Sequence, residues 1–143
     1  MSGYLFDTSV LSLLAGRNRP GYSAVARWLH AVPAHDLFVC TVVIGEIARG
    51  IAQLPEGRKR QHYEQWLHGA AIPMFGERIL TFTLDAALRW GNLMGEGQKK
   101  GRTPPSDDTK IAAVAIVHGL TVVTDNFRDF EPMGVSCFNP ALG

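Results

Sequence analysis

Short apolar runs alternate along this chain with longer stretches in which apolar residues recur every three or four positions. Tyr4-Leu5-Phe6, Leu37-Phe38-Val39-Cys40, Ile79-Leu80-Thr81-Phe82 and Leu120-Thr121-Val122-Val123 are brief, apolar and bounded by polar residues. That is the pattern of buried strands, and the last run is rich in β-branched residues that suit a pleated surface. Val135-Ser136-Cys137-Phe138 reads as a short final strand. Between the runs the spacing predicts helices. One starts near Val10, and a second carries Val25, Trp28 and Leu29 between a Ser23 cap and Pro33. A third runs from a Thr41 cap to about Leu54, with Val43, Ile47 and Ile51 as its apolar stripe. Another passes through Tyr63, Trp66 and Leu67 after the Pro55-Glu56-Gly57 break. The next starts at a Thr83 cap, with Leu84, Ala87, Leu88, Gly91 and Met94 on one side. The last starts at a Ser106 cap, carries Ile111, Ala112, Ala115 and Ile116, and ends at Gly119. Gly95 to Pro105 is the most loop-like stretch, and Trp28 and Trp90 are expected in the core. Strands alternating with helices predict a right-handed parallel α/β sheet with helices on both faces.

The polar residues that end the strands carry the candidate chemistry. In open parallel sheets ligands bind just beyond the carboxyl ends of the strands. Asp7-Thr8-Ser9 stands there after the first strand, and Thr124-Asp125-Asn126 after the fourth. Asp7 has a second reading as a helix cap, since Asp, Thr and Ser all accept hydrogen bonds from orphan N–H groups. Glu46 lies one turn from Val43, beside the apolar stripe, where either a solvated flank or an inward carboxylate fits. Asp107 and Asp108 open their helix, and acids in a first turn complement the helix dipole by about 0.3–1 kcal/mol. If these acids share one edge, electrostatics becomes informative. Two carboxylates ~4 Å apart at an effective dielectric of ~20 repel by about 4 kcal/mol. Such a cluster takes up protons or binds a cation. All-oxygen ligands favour Mg²⁺ or Mn²⁺, and carboxylate-bound ions of this kind suit phosphodiester hydrolysis.

Composition narrows the field. The chain has 143 residues, 46% of them hydrophobic, which fits one packed domain over 1–143. A net charge of +1 gives no global attraction for a polyanion. The local clusters, Arg17 and Arg19, then Lys99, Lys100 and Arg102, are the candidates to hold one. Arg58-Lys59-Arg60 reads instead as a solvated helix start. Cys40 and Cys137 lie in apolar stretches and read as small hydrophobes, without a zinc-binding pair. The five histidines show no metal-ligand spacing. Asp7 comes too early for a signal peptide and no apolar run is long enough for a bilayer, so a cytoplasmic bacterial protein is expected, with no membrane partner.

Taken in order, the pieces resemble the PIN-domain nucleases, and within them the VapC-type toxins of bacterial toxin–antitoxin pairs. The carriers are Leu5-Phe6-Asp7-Thr8-Ser9, Thr41 through Glu46-Ile47 with Gly50, and Pro105 with Asp108-Thr109-Lys110-Ile111-Ala112-Ala113. His118-Gly119-Leu120, Val123-Thr124, Arg128-Asp129-Phe130, Gly134-Val135 and Asn139-Pro140 follow. The resemblance implies a three-layer α/β/α sandwich around a parallel sheet and an Mg²⁺- or Mn²⁺-dependent ribonuclease acting on RNA of the tRNA or rRNA class. It also implies a homodimer and a cognate antitoxin as partner. Asp7, Glu46 and Asp108 match the family's catalytic metal ligands, with Asp107 one residue early. Thr8 and Thr124 are the candidates to position water or a phosphate oxygen, with Asp129 in support. The chain departs from the pattern at Asn126, where many members carry a fourth acid; here Asp125 stands one residue earlier. An amide oxygen binds a hard cation more weakly than a carboxylate, so the second metal position is the open one.

Four rivals stand beside this reading. A phosphatase of the Asp-x-Asp type needs an acid two residues after the first, and Ser9 occupies that place. Receiver-type phosphoacceptor domains need an acidic pair near the end of the first strand, also absent. A non-catalytic cation-binding or interaction module, or a housekeeping nuclease without antitoxin, keeps the same residues and is separated only by experiment.

Overall fold

The protein is described from a computed structural model, which covers residues 3–142. Its strands are β1 (Tyr4–Phe6), β2 (Leu37–Cys40), β3 (Ile79–Leu80), β4 (Thr121–Val123) and β5 (Cys137–Phe138). They form one parallel sheet in the order β3-β2-β1-β4-β5. The helices are α1 (Thr8–Leu13), α2 (Tyr22–Ala31), α3 (Thr41–Gln53), α4 (Arg58–Trp66), α5 (Ile72–Phe75), α6 (Leu84–Lys99), α7 (Ser106–His118) and α8 (Phe127–Phe130). A π-helical turn, Leu67–Ala71, joins α4 to α5. The architecture is the expected three-layer α/β/α arrangement.

Adjacent strand residues such as Leu5 and Phe6 or Val122 and Val123 are both buried, as in a parallel sheet covered by helices on both faces. Tyr4 and Phe6 share a face, as residues two apart in a strand must. Trp28 of α2 meets Tyr4 edge-on at 4.9 Å between ring centroids, and Phe75 of α5 meets Phe6 at 5.6 Å. Such edge-to-face pairs contribute about 0.5–1.5 kcal/mol beyond burial. In α3 the expected stripe of Val43, Ile47 and Ile51 is buried. Ile111 through Ala115 of α7 are five consecutive residues with no exposed surface. A helix apolar all round belongs inside the molecule, and α7 is therefore a fixed platform for the acids at its start.

Several local expectations give way to the packing. Ser23, Thr41 and Ser106 do not cap their helices; Gly21, Cys40 and Pro105 occupy those positions without a side-chain hydrogen bond. Thr83 does cap α6, accepting from the Ala86 N–H at 3.3 Å. Gly119 ends α7 in the left-handed conformation, at φ 68°. The stretch read as a loop from Gly95 is helical to Lys99, despite three glycines from Gly91 to Gly97. Its face is also rotated from the expected one. Leu84 and Leu88 are 75% and 61% exposed, whereas Ala86 is buried and Leu93 packs on the core. Trp90 lies outside that core. Its indole N–H donates to the Ser106 carbonyl at 3.3 Å and Lys110 Nζ sits 5.8 Å from the ring, so it braces α6 against α7.

Candidate active site

The strand order fixes where a site can form. From β1 the chain moves to β2 and β3 on one side, then crosses back to β4 on the other. The connections after β1 and β4 therefore leave in opposite directions, opening a crevice at their carboxyl ends. Register places Phe6 beside Val123, and the Asp7 N–H donates to the Val123 carbonyl at 2.9 Å. Asp7 and Thr124, 117 residues apart in sequence, thus become neighbours.

Asp7 is 5% exposed, and its carboxylate is held from three sides. The Thr8 N–H donates to Oδ1 at 2.7 Å; Thr124 Oγ1 and Ser9 Oγ donate to Oδ2 at 2.7 and 3.3 Å. The helix-cap reading of this residue holds, since Asp7 is the N-cap of α1. Burial nonetheless raises its pKa, outweighing the hydroxyl and amide donors, and Asp125 adds to the rise. Asp125 itself is exposed and accepts from Ser9 Oγ at 3.1 Å. Ser9, part of the polar stretch that ends the first strand, links the two acids.

Glu46 faces this cluster from α3. It is half-buried, and Thr8 Oγ1 donates to its Oε1 at 2.7 Å. Partial burial raises its pKa, with repulsion from Asp107 and then Asp7 adding to it, while Thr8 and Arg49 act in the other direction. Asp108 enters from the start of α7. Burial first, then Asp7, Asp129 and Glu46, push its pKa from 3.8 up to about 7, and a hydrogen bond with Asp129 contributes. Asp129 on α8 is oriented by Asn126, whose Nδ2 donates to Oδ2 at 2.8 Å, while the Asn126 N–H donates to Thr124 Oγ1. Asp107 lies on the Glu46 side and meets Lys110 at 3.9 Å. Its charge is felt within the site, which a purely local helix-start role does not capture.

The chemistry of this donor set fits a divalent cation. Asp7 raises the pKa of Glu46, Asp7 and Glu46 both raise that of Asp108, and among the described residues no ion pair relieves Asp7, Glu46, Asp108, Asp125 or Asp129. The carboxylates do not stand as a closed ligand shell: among the described residues no three such groups lie close enough to hold a metal ion. Glu46 accepts from Thr8, and Asp108 shares a hydrogen bond with Asp129.

The basic candidates separate. Lys100 and Arg102 line a cleft next to the acids, whereas Lys99 does not. Arg17 is exposed, and Arg19 Nη1 donates to the Ser12 carbonyl at 2.7 Å, closing the turn after α1. Both cysteines are free, and burial pushes each thiol up to about 11, which leaves them protonated and inert. No described helix is long and apolar enough to cross a membrane.

Comparison with known proteins follows the same geometry. A profile described as the PIN domain matches residues 4–134. The chain is 32% identical to the VapC ribonuclease Y4jK of Sinorhizobium fredii over 136 residues, covering 95% of this chain and 96% of the relative. It is 31% identical to toxin FitB of Neisseria gonorrhoeae over the same shares of the two chains. The crystal structure of FitAcB from that organism superposes with a TM-score of 0.86 at 30% identity, covering 96% of this chain and 98% of that one.

Proposed function

The chain belongs to the PIN-domain family, and we propose that it is the endoribonuclease toxin of a bacterial toxin–antitoxin pair, with residues 1–143 forming one PIN-like domain. It is a ribonuclease by kinship, and a divalent cation is general to its family. One observation carries the assignment of the site: carboxylates from the end of β1, from α3 and from α7 gather at the sheet's crevice with no ion pair to any of them among the described residues. Asp7, Glu46 and Asp108 would hold Mg²⁺ or Mn²⁺, with Asp125 and Asn126 available at the edge. The bound cation supplies Lewis acidity and a hydroxide nucleophile at neutral pH.

The chain's own groups do the positioning. Asp7 is the fixed point, because three donors and burial leave it one orientation. Thr8 and Thr124 hold Glu46 and Asp7 in place through their hydroxyl protons. The Thr8 oxygen remains able to accept from an attacking water, whereas Thr124 is fully buried and its oxygen already accepts from the Asn126 N–H. Asp129, oriented by Asn126, holds Asp108 through the hydrogen bond they share. The toxin relative supports a cognate antitoxin as partner. A homodimer, cytoplasmic location and an RNA of the tRNA or rRNA class complete the proposal.

The test is incubation of purified protein with total bacterial RNA in Mn²⁺, in Mg²⁺ and in chelator. Discrete fragments are expected with the cations alone and not from Asp7→Asn. Fragments that persist in Asp7→Asn come from another nuclease and remove the reading's support.

A further inference from the structure

A cleft of about 680 Å³ opens beside the acids, between the end of α6, the loop over 100–105 and α8. Its size falls in the range of about 300–1,000 Å³ typical of ligand sites. Asn126 and Asp129 line it, and Asp129 shares a hydrogen bond with Asp108, so the cleft adjoins the acids. Three cations line it: Lys100, Arg102 and Arg128. All three are exposed, and none takes part in an ion pair among the described residues. Glu96 and Asp129 are the other charged groups on the lining, so cations outnumber carboxylates three to two. Leu93 and Met133 supply an apolar surface beside them.

The loop that carries two of these cations is anchored. The Lys100 N–H donates to the Glu96 and Gly97 carbonyls at 3.2 and 3.1 Å. The Arg102 N–H donates to the Gly97 carbonyl at 2.9 Å. Pro104 lies against Gly97 so closely that a Cβ there would come within 2.7 Å of the proline ring. Backbone held this way presents side chains from a defined position. Arg128 stands directly beside Asp129, so one short helix offers a cation to the cleft and a carboxylate to the crevice.

We propose that this cleft seats the sugar–phosphate backbone of a single-stranded RNA segment on the Asp129 side of the acids, with Lys100, Arg102 and Arg128 as its phosphate contacts. The assignment rests on the ribonuclease reading and deepens it. A strand whose phosphate reaches a carboxylate cluster meets repulsion there, and cations immediately alongside offset it. The apolar wall accommodates sugar and base edges, which single strands expose and duplexes keep stacked. Arg17, Arg19 and Lys99 stand outside this track.

Binding in chelator separates the strand from the chemistry. The probe is a fluorescent oligouridylate, titrated with the full chain at several salt concentrations. Each phosphate contact on a single strand contributes a log–log salt slope of about −0.7. Arg128→Gln and Arg102→Gln are each expected to flatten the slope by that amount and to weaken affinity by about two- to five-fold, the range of exposed charge pairs. Arg17→Gln is the control and leaves both unchanged. The proposal is overturned if Arg128→Gln keeps the parent slope, or if Arg17→Gln flattens it equally. Cleavage by the parent in Mn²⁺ is scored separately. Cleavage with an unchanged Arg128→Gln slope removes the cleft and keeps the nuclease; a parent that neither cleaves nor binds removes both.

Discussion

Asp108 and Asp107 are adjacent residues with different surroundings, and the difference is testable. Asp108 faces Asp7, Asp129 and Glu46, while Asp107 is 42% exposed and shares Lys110. Asp107→Asn loses a long surface pair worth about 0–1 kcal/mol and relieves Glu46 of one repulsion. It is expected to keep cleavage. Asp108→Asn is expected to abolish cleavage with the fold intact. It also changes how stability depends on pH. The unfolded chain loses the Asp108 proton near 3.8 and the folded one near 7, so the metal-free parent loses stability as pH rises through that window. Asp108→Asn therefore melts higher than the parent above pH 7, and the gain fades towards pH 4, where the parent holds its proton. Thermal melts in chelator across this range check the sign, and an inactive Asp107→Asn would reverse the two roles. At this scale the sequence was informative about Asp7, because a polar residue ending an apolar run is visible locally. It placed Arg128 only within the Arg128-Asp129-Phe130 segment of the family resemblance and gave no sign of the cleft that this lone cation lines.

Among the elements, α6 shows where periodicity runs out. Leu84, Leu88 and Gly91 form one apolar stripe, and Ala86, Trp90, Leu93 and Gly97 form another. Both have helical spacing, so only the partner decides which face turns inward, and α7 chooses the second. The glycines that suggested a loop have different reasons to be there. A Cβ on Gly97 would stand 2.7 Å from Pro104 and 2.8 Å from the Arg102 carbonyl, whereas one on Gly95 meets nothing within 4 Å. Gly95→Ala is expected to stabilise the protein by about 0.5–1 kcal/mol through helix propensity. Gly97→Ala gains the same propensity but forces the loop over 100–105 outward, at a typical overpacking cost of about 1–3 kcal/mol. It is expected to melt lower than the parent. Denaturant melts of the two variants settle the contrast, and equal stabilisation by both would mean that the Gly97–Pro104 contact is not there.

For the whole molecule, local pattern supplied the strands and the parallel class, but not the convergence of the acids. Convergence depends on strand order, and β4 lies next to β1 because the chain crosses back after β3. The Thr124–Asp7 hydrogen bond spans 117 residues, a distance that no local spacing encodes. The same crossing explains how a chain of net charge +1 handles a polyanion. Acids collect in the crevice and cations in the adjoining cleft, so sign varies across the surface while the sum stays near zero.

The central claim is that Asp7, Glu46 and Asp108 together take one divalent cation, and calorimetric titration of Mn²⁺ in buffers of different ionisation enthalpy tests it most directly. Metal ligands bind deprotonated, so cation entry must expel the proton that Asp108 holds with a pKa of about 7. Release of up to about one proton per Mn²⁺ is expected near pH 6, falling towards none by pH 8, with affinity rising over the same interval. Asp108→Asn should lose the release and most of the affinity. Mn²⁺ binding without proton release near pH 6, or release undiminished in Asp108→Asn, would contradict the shared site, as would a protein that takes up no Mn²⁺ at all.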